Sequence, residues 1–231
     1  CQAVQRHLAI DVLFVAMGDD LATAIALSLG QGAPEKVLRH VIPADNSCLF
    51  NSVAYALDDR GDDKASELRE TVAAVVLSDP DTWTEAMLGK APEEYVEWIQ
   101  DPQRWGGGIE LAILAAHYAT EIAAVDIQTL RISVFGEGQG FQNRAFVIYD
   151  GIHYDVLVRR GPSGEQKLFE TTDQGMLEEA IKVAKEAQTA RNFIDVANFT
   201  LRCVVCQKGL TGQSDAVEHA KATGHANFAE Y

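Results

Sequence analysis

Four residues near the end of the chain, Cys203, Cys206, His219 and His225, have the spacing C-x2-C-x12-H-x5-H. Two thiolates on a tight turn and two imidazoles at the end of a short helix can meet at one tetrahedral centre. The spacing predicts one structural Zn2+ per chain and a small ββα-like finger over residues 199–231. The alternative, two buried cysteines and two surface histidines, fits the spacing less well. Four protein ligands fill the site, so none of its positions is open for catalysis.

The charges of this finger bear on its role. Fingers that bind DNA usually present basic or amide side chains on the helix. Residues 199–231 instead balance three basic against three acidic side chains: Arg202, Lys208 and Lys221 against Asp215, Glu218 and Glu230. A single neutral finger binds DNA poorly, so we expect a protein-contact or purely structural role.

The charge and cysteine content of the whole chain narrow its class. The 231 residues carry a net charge of -15, which argues against nucleic-acid binding through neutralised phosphates. The length suits one domain of ordinary size plus a small module. Four cysteines are too few for a disulfide framework, and two of them have metal-ligand spacing. We therefore expect a cytoplasmic protein.

The N-terminal segment begins at Cys1 rather than Met, so we interpret the chain as a fragment or a processed form. Its most apolar run, LAIDVLFVAM (8–17), is too short to span a bilayer, and no membrane span is expected. A signal peptide is disfavoured because Asp11 interrupts the run and no small-residue cleavage pattern follows. A strand or a core helix is the preferred interpretation.

Periodicity divides the chain into an N-terminal extension (1–38), a main domain (39–191) and the finger (199–231). Helical patterns in the main domain cover 48–57, 65–79, 109–121 and 173–191, and β-rich runs cover 122–128, 131–135, 144–151 and 153–158. Helices come first and closely spaced strands follow. This order predicts an α+β or α/β fold whose mixed or mainly antiparallel sheet is flanked by helices.

Cys48 lies where the loop HVIPADNS gives way to an apolar helical pattern. A thiol attacks only as its thiolate, and the unpaired N–H groups of a helix N-terminus favour negative charge. The same groups, with those of the Asp45–Ser47 loop, are suited to line an oxyanion hole. Cys48 is thus a candidate nucleophile, although a lone cysteine at a helix start is more often a small buried hydrophobe.

A base for this thiol has to come from elsewhere in the chain. His153 follows a glycine turn in IYDGIHYDVLV and opens a β-rich run. Asp155, two residues on, faces the same side of the strand and can hold the imidazole in one tautomer. The alternative is a structural histidine in a hairpin, and residue types alone do not decide between the two.

Several motifs, in their order along the chain, resemble those of a known family. DNSCLFNSVAYAL resembles the D-x-x-C loop of the ovarian-tumour (OTU) cysteine deubiquitinases, RWGGGIELAILAAHY their W-G-G-x-x-E-L segment, and VIYDGIHYDVL their histidine motif. The C-terminal 33 residues resemble the zinc finger of the OTU1-type subfamily. The resemblance covers residues 39–231 and implies a papain-like fold.

The resemblance also implies roles for individual residues. Cys48 would be the nucleophile and His153 the general base of an isopeptide hydrolase acting on ubiquitin and polyubiquitin chains. Asp45 is the carboxylate of the D-x-x-C motif and Asp155 the usual orienting residue, and their division of labour is left open. Three further residues would border the channel for the ubiquitin tail: Asn46, Ser47 and Ile152.

The subfamily resemblance extends to cellular context. It implies a role in ER-associated degradation and the unfolded protein response, where an N-terminal ubiquitin-like domain docks on an AAA+ unfoldase. Residues 1–38 are too few for that whole domain, so we expect a remnant and linker, or an unrelated extension. Two rival functions are a ubiquitin-binding adaptor without catalysis and a zinc-finger nucleic-acid binder.

Overall fold

The computed structural model describes residues 35–58, 64–195, 200–225 and 227–230. The segment LAIDVLFVAM and the rest of residues 1–34 lie outside these ranges. The interpretation of the N-terminal extension therefore stays a prediction, as does the division of the chain into three parts.

The described residues form seven helices and ten strands. The helices are α1 (Cys48–Leu57), α2 (Ala65–Ser78), α3 (Glu85–Leu88), α4 (Pro92–Gln100), α5 (Gly108–His117), α6 (Gln174–Thr189) and α7 (Gly212–Thr223). The strands are β1 (Lys36–His40), β2 (Glu121–Asp126), β3 (Ile132–Phe135), β4 (Asn143–Tyr149), β5 (Tyr154–Gly161), β6 (Gly164–Gln166), β7 (Phe169–Glu170), β8 (Thr200–Cys203), β9 (Gly209–Thr211) and β10 (Phe228–Glu230).

The main sheet is mixed, as predicted. Its strand order is β1-β5-β4-β2-β3, with β6 paired to β5 and β7 to β4. Only β2 and β4 run parallel among the described pairs, and the remaining neighbours are antiparallel. β1 begins at Lys36, so this strand includes residues that the sequence analysis assigned to the extension. At the centre of the sheet, β4 ends and β5 begins, and this part of the sheet supports the candidate site.

Side chains that alternate along the strands build two cores on opposite faces of the sheet. Val147 of β4 packs in the cluster formed with α1, α2, α4 and α5. Its neighbours Phe146 and Ile148 pack instead with α6, through Met176 and Ala180. The sheet is therefore covered by helices on both faces, which confirms the predicted fold class.

Six of the described elements were not predicted: α3, α4, β1, β6, β7 and β10. Helix α4 has Pro92 at its first turn, where the missing N–H costs nothing, and it buries only Tyr95 and Ile99, four residues apart. Two apolar positions in PEEYVEWIQ give a weak periodic signal. Helix α3 is a single turn that ends at Gly89, whose φ is +75°. Such short elements depend on tertiary packing rather than on local pattern.

The C-terminal module forms a separate three-stranded sheet of order β10-β8-β9 with α7 alongside. Helix α7 ends at Gly224 in the left-handed conformation, with φ +74°. His219 lies on α7, and His225 directly follows the glycine at which this helix ends.

The helices within the described ranges all lack the combination of length and apolarity that crossing a bilayer requires.

Candidate active site and metal centre

Cys48 is the first residue of α1 and is 9% exposed. The loop before it is shaped by Asp45, whose Oδ1 accepts a hydrogen bond from the Ser47 N–H at 2.7 Å and whose Oδ2 accepts from the Asn51 amide at 3.0 Å. These bonds turn the chain sharply into the helix. The thiol therefore lies at the N-terminal end of α1, where the helix dipole favours negative charge.

His153 is held by a tight turn between β4 and β5. Asp150 Oδ1 accepts hydrogen bonds from the backbone N–H groups of Ile152 (3.2 Å) and His153 (2.9 Å). Gly151 in this turn has φ +106°, and a Cβ on it would lie 2.2 Å from the Ile194 carbonyl oxygen. Glycine is therefore required here both for conformation and for space.

Asp155 lies on β5 with its side chain 1% exposed. Its Oδ1 is 3.1 Å from His153 Nε2 and accepts the Ile42 N–H at 2.6 Å. Its Oδ2 accepts a hydrogen bond from Arg39 Nε, and Arg39 Nη2 reaches Asp150 Oδ2 at 3.1 Å. One arginine thus joins the carboxylate to the turn that carries His153.

The electrostatics of this pair follow from its contacts. Burial by itself would raise the pKa of Asp155, but the His153 hydrogen bond, the Arg39 charge and the Ile42 N–H outweigh it and hold that pKa below its usual range. Burial by itself would lower the pKa of His153. Hydrogen bonds to Asp155 and Cys48, and the charges of both, instead raise the pKa of His153 to about 10. Because Nε2 faces Asp155, Nδ1 is the ring nitrogen left for Cys48.

The two candidate carboxylates are therefore placed differently. Asp155 is bonded to His153, whereas Asp45 accepts one hydrogen bond from the loop before α1, at Ser47, and one from Asn51 within α1. Of the predicted channel residues, Asn46 and Ile152 line the cavity at Cys48. Ser47 is not among its lining residues, and its Oγ accepts a hydrogen bond from Arg69.

The cavity at Cys48 has a volume of about 100 Å³. Its other walls were not singled out from the sequence as channel residues: Leu49, Trp105, Gly106, Gly107, Tyr149 and Tyr154. Trp105 is half exposed and donates from Nε1 to Asn46 Oδ1 at 2.8 Å, which joins the two sides of the opening. The WGGG motif is the sequence feature that could have indicated this wall of the cavity, because consecutive glycines permit close approach of a ligand backbone.

The predicted metal ligands converge in the finger. Donor atoms of Cys203, Cys206, His219 and His225 all lie within 4.8 Å of one another, and Cys206 Sγ is 3.5 Å from His219 Nε2. Two sulfurs and two imidazole nitrogens are the donor set of a tetrahedral structural Zn2+ site, and their convergence on one point fits that ion. These four residues would hold the ion, which supplies a structural cross-link rather than an open coordination site.

A larger, shallow depression of about 530 Å³ lies on α7, lined by Ser214, Val217, Glu218 and Lys221. Its lining includes none of Cys48, His153 and Asp155.

A thiol at a helix N-terminus, an imidazole and a buried carboxylate are the groups that a cysteine protease uses, and here they lie on a mixed sheet flanked by helices. Comparison with known proteins gives the family. Residues 43–154 match the family model described as OTU-like cysteine protease, and residues 197–231 match the model for the C-terminal C2H2-type zinc finger of ubiquitin thioesterase OTU1.

Individual relatives agree with these matches. "Ubiquitin thioesterase OTU1" of Gallus gallus is 52% identical over 197 residues, covering 83% of this chain and 65% of the relative. The Arabidopsis thaliana "OVARIAN TUMOR DOMAIN-containing deubiquitinating enzyme 2" is 48% identical over 204 residues, covering 84% of this chain and 98% of the relative. The chain thus spans about two thirds of the length of the Gallus gallus relative.

Among solved structures, "Structure of Ovarian Tumor (OTU) domain in complex with Ubiquitin" superposes with a TM-score of 0.65 at 29% identity. The match covers 70% of this chain and 92% of that one. The chain belongs to the OTU family of cysteine proteases and carries the C2H2 finger of the OTU1 type.

Proposed function

We propose that this protein is a thiol-dependent deubiquitinase that hydrolyses the isopeptide bond between the C-terminal glycine of ubiquitin and a substrate lysine. The observation that carries the proposal is the 3.1 Å contact between His153 Nε2 and Asp155 Oδ1, beside a thiol at the start of α1. The names of the relatives and of the ubiquitin-bound structure support ubiquitin as the substrate class.

In the first half of the reaction, the Cys48 thiolate attacks the glycine carbonyl carbon and the carbonyl electron pair moves onto oxygen. N–H groups of the Asp45–Cys48 segment stabilise this oxyanion. The raised pKa of His153 keeps a proton on the imidazole at neutral pH. When the C–N bond breaks, His153 gives this proton to the departing lysine amine, and a thioester remains on Cys48.

In the second half, His153 acts as the general base. It takes a proton from water, the hydroxide attacks the thioester carbon, and the C–S bond breaks with its electron pair returning to Cys48. The carboxylic acid of ubiquitin loses its proton to solvent and leaves as a carboxylate, and free Cys48 with a protonated His153 is restored. Asp155 keeps the imidazole in one orientation throughout both steps.

We assign Asp45 to the loop rather than to the imidazole, a role supported by its bonds to the Ser47 N–H and to Asn51. Asn46 and Ile152 would border the tail of ubiquitin, supported by their positions on the cavity wall. Ser47 would contribute through its backbone. A cavity of about 100 Å³ admits a tail of two glycines and excludes bulkier ones.

For the finger we propose one structural Zn2+ per chain, supported by the convergence of two cysteines and two histidines. The division into an extension (1–38), a catalytic domain (39–191) and a finger (199–231) remains part of this proposal.

The cellular setting that we propose is cytoplasmic ER-associated degradation, acting on polyubiquitin, with an AAA+ unfoldase as a further partner only if residues 1–38 keep enough of the ubiquitin-like domain to dock on it. Its support is the OTU1-type finger at residues 197–231. Co-purification of the unfoldase with the tagged chain from cytosol tests this setting, and a chain that captures polyubiquitin but no unfoldase contradicts it.

The test of the enzymatic proposal is reaction with ubiquitin that bears an electrophile at its C-terminus. We expect a covalent adduct with the wild type and none with Cys48→Ala or His153→Ala. A folded wild-type protein that binds ubiquitin and forms no adduct would instead be an adaptor.

A further inference from the structure

Arg69 of α2 is a buried cation that the reaction scheme leaves without a role. The residue is 2% exposed, and its guanidinium lies beneath the loop that precedes Cys48. Nη2 donates to the Asn46 carbonyl oxygen and to Ser47 Oγ, both at 3.1 Å. The plane of the group packs on Phe50, with Cζ 4.2 Å from the ring centroid.

The same guanidinium also reaches the opposite side of the cleft. Nη2 donates to the Arg104 carbonyl oxygen at 2.7 Å, and Nη1 donates to the Ile99 carbonyl oxygen at 2.8 Å. Arg104 directly precedes Trp105, which lines the cavity at Cys48. One side chain therefore fixes the distance between the loop that carries the thiol and the segment that forms the facing wall.

Arg69 has no direct counter-ion among the residues that the structure describes, since no carboxylate there lies within 4.0 Å of it. Arg144, which is similarly buried, differs in having Glu121 at 2.6 Å. Four neutral acceptors take hydrogen bonds from Nη1 and Nη2 of Arg69, whereas its buried Nε has no hydrogen-bond partner among the described residues. None of these acceptors compensates the charge. Burying an unpaired charge is costly, so the positive potential around Arg69 remains available to nearby negative groups.

The negative groups that act on this charge include the reacting sulfur. Burial lowers the pKa of Arg69, and the opposing contributions come from Glu110, Asp101, Asp45 and Cys48. A guanidinium nevertheless stays protonated throughout the physiological range. Arg69 therefore keeps its positive charge throughout the proposed reaction.

We propose that Arg69 is a positioning residue of the hydrolase: it fixes the Asn46–Ser47 backbone so that the loop amides meet the oxyanion, and it favours the negative charge that forms there. This inference rests on the proposed function, because it needs a carbonyl substrate at Cys48. Donors that are preorganised where charge develops lower the barrier without strengthening ground-state binding. The effect should therefore fall on kcat rather than on KM.

The test compares Arg69→Met, Arg69→Lys and the wild type on ubiquitin with a C-terminal fluorogenic amide. Loss of an oxyanion-hole donor costs about 100-fold in kcat, and we expect a loss of this order in Arg69→Met with KM changed by less than about three-fold. Arg69→Lys keeps the charge but not the planar guanidinium, so its kcat should be about ten-fold higher than that of Arg69→Met. A merely structural role would lower Tm without this recovery.

Arg144→Met is the matched control, because it removes a buried arginine at the far end of β4. It leaves Glu121 unpaired, so we expect a lower Tm and a wild-type kcat below the melting transition. A wild-type kcat in folded Arg69→Met, or an Arg69→Lys no faster than Arg69→Met, overturns the inference.

If Arg69→Met does not fold, Arg69→Lys is the deciding variant. A kcat about ten-fold below that of the wild type, with unchanged KM, supports the inference. A kcat equal to that of the wild type, with or without a change in KM, contradicts it. Failure of the wild type to react with electrophile-bearing ubiquitin would count against the proposed function instead. A wild type that reacts and hydrolyses the amide leaves the Arg69 variants as the test of this inference alone.

Discussion

His153 Nε2 and Asp155 Oδ1 are joined across 3.1 Å, and the same carboxylate oxygen accepts the Ile42 N–H at 2.6 Å. The carboxylate is thus fixed to the backbone that leads into the Cys48 loop as well as to the imidazole. Since Nε2 is engaged, the ring presents Nδ1 towards Cys48. The orientation of the base is built into the start of β5 and does not depend on bound substrate.

Asp155→Asn tests this arrangement. The asparagine side chain can occupy the same space, but it loses the charge that favours the protonated imidazole and can fix the wrong tautomer. We expect kcat to fall by about 100- to 10,000-fold. Because the negative charge contributes to the raised pKa of His153, the alkaline limb of the pH–rate profile should also move to lower pH.

Asp45→Asn is the comparison for that variant, since it alters the other candidate carboxylate. Its contacts stabilise the loop, so we expect a smaller loss of kcat, of about ten-fold, with an unmoved alkaline limb. A larger loss in Asp45→Asn than in Asp155→Asn would make Asp45 the principal carboxylate.

The raised pKa of His153 also predicts how stability depends on pH. The pKa is about 10 in the folded protein and 6.5 ordinarily, so the folded state binds the proton more tightly. The resulting stabilisation is fully present below about pH 6.5 and is lost as the pH rises through about 10. The Tm of the wild type, measured by thermal melting, should therefore fall between pH 7 and pH 10, and the Tm of His153→Gln should fall less. Parallel curves for the two proteins would refute this.

Local sequence patterns predicted those parts of the site whose conformation depends on residues adjacent in the chain. Cys48 was expected at a helix start, and α1 begins there, because an apolar helical pattern follows a loop with turn chemistry. His153 and Asp155 were expected on one side of a strand from the two-residue period. His153 instead lies in the turn one residue before β5, and the two side chains are nevertheless in contact. The finger ligands converge as their spacing indicated.

Contacts between distant segments were not predictable in the same way. Arg39 precedes Asp155 by 116 residues and meets it only because β1 pairs with β5. Arg69 did leave a signal, since it shares the buried face of α2 with Val72, Ala73 and Val76 at spacings of three, four and seven. A charged residue on an apolar helical face indicates a buried partner, but periodicity does not identify which one.

Gly151→Ala tests the turn that carries His153. The added Cβ would meet the Ile194 carbonyl oxygen at 2.2 Å, so the turn has to shift and the imidazole with it. We expect a lower Tm and at least ten-fold slower adduct formation with electrophile-bearing ubiquitin, since a displacement of about 1 Å can cost 100-fold. The control is Gly164→Ala, which has a similar φ of +113° but no atom within 4 Å of the added Cβ. Equal effects of the two variants would show that backbone strain alone explains the loss.

Removal of the metal tests the finger independently of the catalytic chemistry. Native mass spectrometry should find one Zn2+ per chain in the wild type and in Cys48→Ser, and none in Cys203→Ser. Because the finger has a small core of Leu201, Leu210 and Ala216, it should unfold when the cross-link is lost. The cores around α1 and α6 involve other residues, so reaction of Cys48 with electrophile-bearing ubiquitin should continue in Cys203→Ser. Metal retained by Cys203→Ser, or a wild type without zinc, would contradict the proposed site.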